Sequence, residues 1–336
     1  MTARRAASAA ALAATVALAL AGRLAAPGAA APRRSAAPAQ ATAAPMTIEV
    51  LATHPHDRRA YTQGLVWDAG TLYESTGLYG ASSLRRVELA TGAVLQQRDL
   101  GGDQFGEGLA RLGDRLVQLT WRSGKALLWD AATFAPMGEH AYAGEGWGLC
   151  TRGQTLIMSD GSDTLVVRDA ATFEIVDRIP VQLNGEPLPS LNELECVGDT
   201  VYANVWPEPL IVRIDLATGD VVEHIDGTAL DTAIRAEHQF FDRYECLNGI
   251  AHMPEVDRFL VTGKHWPALY EVRFRPAAPT PSAASPTPSA TPPTPATTPS
   301  PPTATAPPTP VDATPTDAAP PTPGRAYLPW AQRRRP

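Results

Sequence analysis

The chain is predicted to be all-β: a five-bladed β-propeller, closed by an N-terminal strand that completes the last blade. Three observations predict it. The pairs Gly64-Leu65, Gly108-Leu109, Gly148-Leu149, Glu193-Leu194 and Gly249-Ile250 each open a run of short strands, and subtracting their positions gives spacings of 44, 40, 45 and 56 residues. Units of about 40–50 residues holding several strands belong to propellers. The phrase Asp-Ala-Ala-Thr-Phe stands at Asp130–Phe134 and again at Asp169–Phe173, and Asp215-Leu216-Ala217-Thr218-Gly219 takes the same place one unit later. The last unit, Gly249–Phe274, offers only three strands, while an isolated alternating stretch, Met46–Thr53, precedes the first unit.

The chain has 336 residues, and the folded part is expected to be 46–275. Residues 1–31 carry Arg4 and Arg5, an apolar run around Ala9–Ala21 and small residues near Pro27–Ala31, the pattern of a secretory signal. A membrane anchor is the alternative, but the run is short for a span and no other segment is apolar enough. A secreted or extracytoplasmic location follows, with 32–45 as a disordered leader. Residues 276–323 hold 18 of the 33 prolines among Ala, Thr and Ser. Such a stretch cannot offset chain entropy by apolar burial and is expected to be a disordered linker. Residues 324–336, with Tyr327, Trp330 and Arg333–Arg335, read as a disordered tail or as a tether to a cell envelope.

The first unit is expected to run Gly64–Trp67, Leu72–Ser75, Ser83–Glu88 and Val94–Asp99, with short glycine-bearing turns at Asp68–Gly70 and Ala90–Gly92. The second runs from Gly108 to about His140, with Ala126–Asp130 as its third strand. The third runs from Gly148 to Val181. Two longer insertions follow, Asn184–Ser190 and Thr228–Glu245, the second with His238, Phe240, Phe241 and Tyr244 and a short helix expected within Leu230–Glu237. Both precede inner strands, so both belong on one face, where loops shape a site.

A net charge of −7 with no basic block outside the tail excludes nucleic acid as a partner. The three cysteines, Cys150, Cys196 and Cys246, have no metal-binding spacing. Cys196 and Cys246 lie near inner strands of neighbouring units and are candidates for a disulfide; buried unpaired thiols are the equal alternative. A monomer is expected, since a closed ring of strands leaves no open edge.

Aligning the units brings out a candidate site. Just before each opening pair stand Gln63, Glu107, Trp147, Asn192 and Asn248; about 13–16 residues later stand Gly77, Trp121, Asp160, Trp206 and Lys264. The first strand of a blade is innermost, so equivalent positions form rings about the axis. Scaffold positions would carry Val, Thr or Ser; amides, acids, indoles and a lysine point to chemistry instead.

The motifs at these positions resemble the plant-and-bacterial type of glutaminyl cyclase. They are Tyr61-Thr62-Gln63-Gly64-Leu65, Tyr73–Gly77, Phe105-Gly106-Glu107-Gly108, Gln118–Trp121, Gly146–Leu149, Asp160–Ser162, Asn192–Glu195, Tyr202–Pro207, Leu247–Ile250 and Thr262–Lys264. The resemblance spans 46–275, in order, in every unit. One departure is Tyr61, where the family usually has Phe. The resemblance implies a cyclase acting on peptides or proteins with N-terminal glutamine. The α-amine attacks its own side-chain carboxamide, pyroglutamate forms and ammonia leaves. Glu107 is then the general acid and base. Gln63, Asn192 and Lys264 orient the carboxamide or stabilise charge on its oxygen. Trp121, Trp147, Trp206 and Tyr61 box the glutaminyl chain, and Asp160 orients a neighbour or binds an ion. No cofactor is required for catalysis, and the resemblance implies a structural calcium in the central channel without naming ligands. The zinc-dependent animal cyclases have another fold. The competing readings are a non-catalytic propeller binding peptides or envelope components, and a hydrolase or lactonase. The latter would need carboxylates and histidines converging on a metal, where this chain puts amides and indoles.

Overall fold

The computed structural model describes residues 42–239 and 242–278. The signal segment, most of the leader, nearly all of the linker and the whole tail therefore lie outside the described residues, as do Phe240 and Phe241. The described chain is all-β, with a single helix among its strands. It begins with β1 (Ala44–Pro55), followed by β2 (Thr62–Asp68), β3 (Thr71–Thr76), β4 (Ser83–Val87) and β5 (Val94–Asp99) as one antiparallel sheet. A second sheet holds β6 (Gly106–Leu112), β7 (Arg115–Thr120), β8 (Lys125–Asp130) and β9 (Pro136–Ala141). A third holds β10 (Leu149–Arg152), β11 (Thr155–Met158), β12 (Thr164–Asp169) and β13 (Ile175–Pro180). The first insertion forms a small hairpin of β14 (Gln182–Leu183) and β15 (Glu186–Pro187).

The fourth unit is β16 (Leu191–Val197), β17 (Thr200–Val205), β18 (Leu210–Asp215) and β19 (Val221–Asp226). Then come the helix α1 (Thr228–Glu237), β20 (Leu247–Met253), β21 (Arg258–Gly263) and β22 (Ala268–Pro276). The N-terminal strand supplies the missing fourth strand, pairing antiparallel with β22 from Met46↔Pro276 to Pro55↔Ala268. It begins at Ala44, two residues ahead of the expected start. Those residues add a pairing that the repeat did not suggest: Ala44–Thr47 run parallel to Glu223–Asp226 of β19. The last two units thus form one eight-stranded sheet.

The first strands of the five units lie against one another in a closed circuit: β2 on β6, β6 on β10, β10 on β16, β16 on β20 and β20 back on β2. The apolar core follows the same circuit. Leu84 and Leu109 pack with Leu116 and Phe134 between the first and second units. Val117 and Leu119 meet Leu149 and Leu156 between the second and third, and Ile157 and Leu165 meet Val201 and Val212 between the third and fourth. Ile211 and Tyr202 meet Phe259 and Val261 next, and Leu65 and Leu72 meet Leu260 and Leu269 where the ends join. Each buried Leu or Ile contributes about 1.5–3 kcal/mol, so the units hold together by their flanks.

The repeated phrase is a turn built by its own aspartate. Asp130 Oδ1 accepts the N–H groups of Ala132 (3.2 Å) and Thr133 (2.8 Å), and Asp169 Oδ1 those of Ala171 (3.0 Å) and Thr172 (2.8 Å). The turn needs a left-handed residue at its end. Gly219 supplies it in the fourth unit, whereas Phe134 (φ 58°) and Phe173 (φ 64°) adopt it elsewhere. Both rings are buried, and that burial offsets a backbone cost of roughly 1–2 kcal/mol.

The disulfide differs from the expected candidate. Cys150 on β10 pairs with Cys196 on β16, with Cα atoms 5.5 Å apart, and Cys246 is a buried free thiol. Cys246 just precedes β20, whereas Cys196 lies one residue from the far end of β16, so the two stand at opposite ends of neighbouring strands. The bond closes a 46-residue separation, for which chain entropy gives about 4 kcal/mol. Reducing the protein, or substituting Cys150→Ser with Cys196→Ser, is expected to lower the unfolding free energy by about 2–4 kcal/mol in urea titrations. Identical midpoints for oxidised and reduced protein would remove this role.

Candidate active site

Four of the five inner strands break their pairing register at one place each: between Thr62 and Gly64, between Gly106 and Leu109, between Leu191 and Leu194, and between Leu247 and Ile250. The residues thrown out of the ladder include Gln63, Glu107, Asn192 and Asn248. Bulges re-aim side chains, so the ring seen in the sequence is a ring of bulges. In the third unit Trp147 lies just ahead of β10 and donates its N–H to the Ser159 carbonyl (3.0 Å).

A bulge strands backbone groups, and buried side chains take them up. Asn204 Oδ1 accepts the Gly249 N–H (2.9 Å). Ser159 Oγ accepts the Gly148 N–H (2.7 Å) and donates to the Asn192 carbonyl (2.6 Å). Ser75 Oγ donates to the Glu107 carbonyl. The bulges of β6, β16 and β20 are thereby anchored, as a preorganised site requires.

Glu107 is buried, at 4 % exposure. Its Oε1 accepts Gln63 Nε2 at 2.9 Å. Gln63 is oriented in turn by Asn248, whose Nδ2 donates to Gln63 Oε1 (3.2 Å) and to the Thr62 carbonyl (2.9 Å). This amide chain occupies Oε1 of Glu107, and no described hydrogen bond takes the other carboxyl oxygen. Burial pushes the Glu107 carboxyl well above the usual carboxylate range; Lys264 opposes this and Glu145 adds to it. Lys264 is itself buried, and burial lowers its pKa against the pull of Cys246 and Glu107. Its Nζ lies 5.1 Å from the Tyr61 ring centre and 5.7 Å from that of Trp206.

Aromatic rings close around these groups. Trp147 and Trp206 meet edge to face at 5.6 Å. Phe105 lies between Tyr61 (6.1 Å) and Trp121 (5.5 Å), and Tyr244 from the second insertion stacks on Trp206 at 5.0 Å. Glu145 ties two walls together: its Oε2 accepts the indole N–H of Trp121 (2.6 Å) and of Trp147 (3.0 Å). Its Oε1 accepts Arg122 Nε (2.7 Å), and Arg122 covers Trp121 at 3.8 Å. Burial works against the Glu145 charge, yet the bonds from Trp147, Arg122 and Trp121 keep its pKa below the ordinary value.

Three buried polar atoms here have no hydrogen-bond partner among the described residues: Asn192 Oδ1, Asn248 Oδ1 and Trp206 Nε1. Each orphan costs about 1–3 kcal/mol, and a concentration of them fits a place that a ligand completes.

The structure brings Glu107, Gln63, Lys264, Tyr61, Trp121, Trp147 and Trp206 into contact, directly or through one neighbour, and joins Asn192 to Trp147 through Ser159. Asp160 stands apart. Its carboxylate accepts the Ser162 N–H (3.0 Å) in the turn behind Trp147, and no described contact links it to Glu107. Sequence reasoning missed Glu145, gave no role to Phe105 or to Asn248 as an orienting group, and named Tyr244 only as part of the second insertion. Phe105 opens the Phe105–Gly108 motif and Glu145 immediately precedes Gly146–Leu149, and those positions were the available signal.

A calcium ion would need six to eight oxygen ligands. Among the described residues no three His, Cys, Asp or Glu side chains gather as a metal site. The buried inner-strand carboxylate Glu193 already accepts two backbone N–H groups. Calcium also takes backbone and amide carbonyl oxygens; no ligand set is assigned to the expected ion, and no chemistry is drawn through it.

Comparison with known proteins is consistent with this geometry. The family model described as glutamine cyclotransferase matches residues 16–274. The chain is similar to a glutaminyl-peptide cyclotransferase of Arabidopsis thaliana, 40% identical over 236 residues, covering 69% of this chain and 72% of that one. It is also similar to the crystal structure of Myxococcus xanthus glutaminyl cyclase, with TM-score 0.66 and 37% identity, over 70% of this chain and all of that one.

Proposed function

The chain belongs to the glutamine cyclotransferase family, and from that premise we propose that the ring around Glu107 converts N-terminal glutamine of peptides and proteins to pyroglutamate, releasing ammonia. The observation that carries this reading is a buried carboxyl, held by one oxygen and raised in pKa, inside an aromatic box with unsatisfied polar groups.

The substrate's α-amine, in its neutral form, attacks Cδ of its own carboxamide. A C–N bond forms and the carbonyl pair moves onto oxygen. The Lys264 ammonium and the Trp206 indole N–H are placed to receive that charge. Glu107 starts as the neutral acid and gives its proton to the carboxamide nitrogen. That C–N bond breaks and ammonia departs with the pair. The carboxylate left behind takes the proton shed by the ring nitrogen, which restores the acid. One proton has moved from amine to leaving group, a service worth about 10²–10⁴-fold. Asn192 Oδ1 accepts an N–H of the attacking amine, Gln63 holds the idle oxygen of Glu107, and Trp121, Trp147, Trp206 and Tyr61 fold the glutaminyl chain into attack geometry. Asp160 is assigned to the turn behind Trp147.

The architecture proposed with this activity is a five-bladed propeller, the eight-stranded sheet being two blades joined through β1 and β19. Support comes from the closed circuit of inner strands and the core shared between every neighbouring pair of units. An extracytoplasmic, monomeric enzyme is part of the same reading; the Cys150–Cys196 disulfide suits an oxidising compartment. No helix among the described residues is long and apolar enough to cross a membrane.

The test is direct. A glutamine-initiated peptide incubated with the protein is expected to lose the mass of one ammonia, with equimolar ammonia appearing in solution. A well-folded protein that binds the peptide and leaves its mass unchanged would replace the enzyme reading with the peptide-binding one.

A further inference from the structure

The opening pair of each unit is Gly-Leu or Gly-Ile except in the fourth, where glutamate replaces glycine. The glycines are there because inner strands nearly touch. A Cβ on Gly64 would stand 2.6 Å from Leu109 N, one on Gly108 2.5 Å from Leu149 N, and one on Gly148 2.0 Å from Asn192 O. At the fourth position the ring instead admits a whole side chain, and Glu193 is buried, at 1 % exposure. Its two oxygens go to different strands. Oε1 accepts the Leu65 N–H of β2 (3.2 Å) and Oε2 the Ile250 N–H of β20 (2.8 Å).

Those two amides are equivalent positions in the first and fifth units. Leu65 lies two residues after Gln63 and Ile250 two residues after Asn248, and both follow the bulges that aim these amides. Glu193 itself follows Asn192 in the bulge of β16. A single carboxylate therefore joins the three bulges that carry Gln63, Asn192 and Asn248, and Gln63 bonds to Glu107. We infer that Glu193 is a positioning residue of the cyclisation reaction: its two-strand clamp sets the bulges from which Asn248 and Gln63 hold the working geometry of Glu107. It does not touch the reacting atoms. The kinetic part of this inference rests on the cyclase reading; the clamp does not.

Glu193→Gln tests both parts in the full chain. The amide oxygen can keep one N–H, while its NH₂ must face the other donor. In the clamp arm, hydrogen exchange is followed at the Leu65 and Ile250 amides. One of the two is expected to lose protection in a variant that melts cooperatively; unchanged protection at both would overturn the clamp whether or not the protein is an enzyme. In the kinetic arm, kcat is expected to fall about 10–100-fold with KM nearly unchanged, the cost of a small misplacement. The same substitution in a Gln63→Leu background is expected to have almost no further effect on kcat, because the two act through one chain of bonds. Equal losses in both backgrounds would overturn the positioning role and leave Glu193 as a purely structural acid. Absence of cyclisation in the unsubstituted protein would instead overturn the enzyme reading, with the exchange data still deciding the clamp.

Discussion

Glu107→Gln is expected to lower kcat for cyclisation by about 10²–10⁴-fold while leaving the fold intact. Glutamine keeps the size of the side chain, and its carbonyl can still accept the Gln63 amide that now reaches Oε1 of Glu107. What it lacks is a proton to give and a place to take one back. The pH dependence has a definite sign. Burial raises the Glu107 pKa, which widens the overlap between its acid form and the neutral form of a peptide α-amine (pKa about 7.7–8.0). The rate should rise with pH as the amine loses its proton and fall again as Glu107 loses its own. Stability follows the same group. A folded pKa above the unfolded one gives a contribution present below the unfolded value and lost as pH rises through the folded one. The glutamine variant cannot ionise here and should gain stability relative to the unsubstituted protein as pH rises from the ordinary carboxylate range through the raised folded value. Paired kinetic and urea titrations across pH check both statements. A folded variant with undiminished kcat would move the proton transfer away from Glu107, with Lys264 the next candidate.

The periodic features of this molecule were legible in its sequence because periodicity survives without coordinates. The turn phrases at Asp130 and Asp169 lie where the third strand hands over to the fourth, and Thr47–Thr53 pairs beside the last strands as the missing-strand argument required. The ring of Gln63, Glu107, Trp147, Asn192 and Asn248, and a second with Trp121, Trp206 and Lys264, were visible as columns of unusual residues at equivalent positions. Contacts across units were not legible, since they depend on strand register and on the radius of the ring. Cys150 and Cys246 were equally near inner strands by counting, and only the offset along those strands decides which one meets Cys196. Glu145 lies outside the aligned columns, so nothing marked it as the acceptor for two indoles. The bulges that re-aim the amides add residues inside strands, a change that alternation patterns blur. The reach of Glu193 to Leu65 and Ile250 spans more than fifty residues in either direction and needs the ring closed before it has meaning.

Gly148→Ala is expected to destabilise the protein by more than about 4 kcal/mol, the largest stability effect of any single methyl group considered. The added Cβ would lie 2.0 Å from the Asn192 carbonyl oxygen, 2.8 Å from Leu194 Cγ and 2.9 Å from the Asn192 carbonyl carbon. Two of these three atoms are backbone and cannot rotate away. The Asn192 carbonyl is moreover held by Ser159 Oγ, which also receives the Gly148 N–H. Relief would require β10 and β16 to separate, and these strands sit in a closed circuit that the Cys150–Cys196 disulfide also ties. Against a typical total stability of 5–15 kcal/mol, the variant should be recovered poorly or melt far below the parent. Gly102→Ala is the matched control: a Cβ there meets nothing within 4 Å and the backbone is not left-handed, so its urea midpoint should stay at or slightly above the parent value. A Gly148→Ala protein within about 1 kcal/mol of its parent would mean that the inner strands do not approach as closely as the ring requires. The same glycine rule would then fail at Gly64 and Gly108, and with it the explanation of why the units open on Gly-Leu.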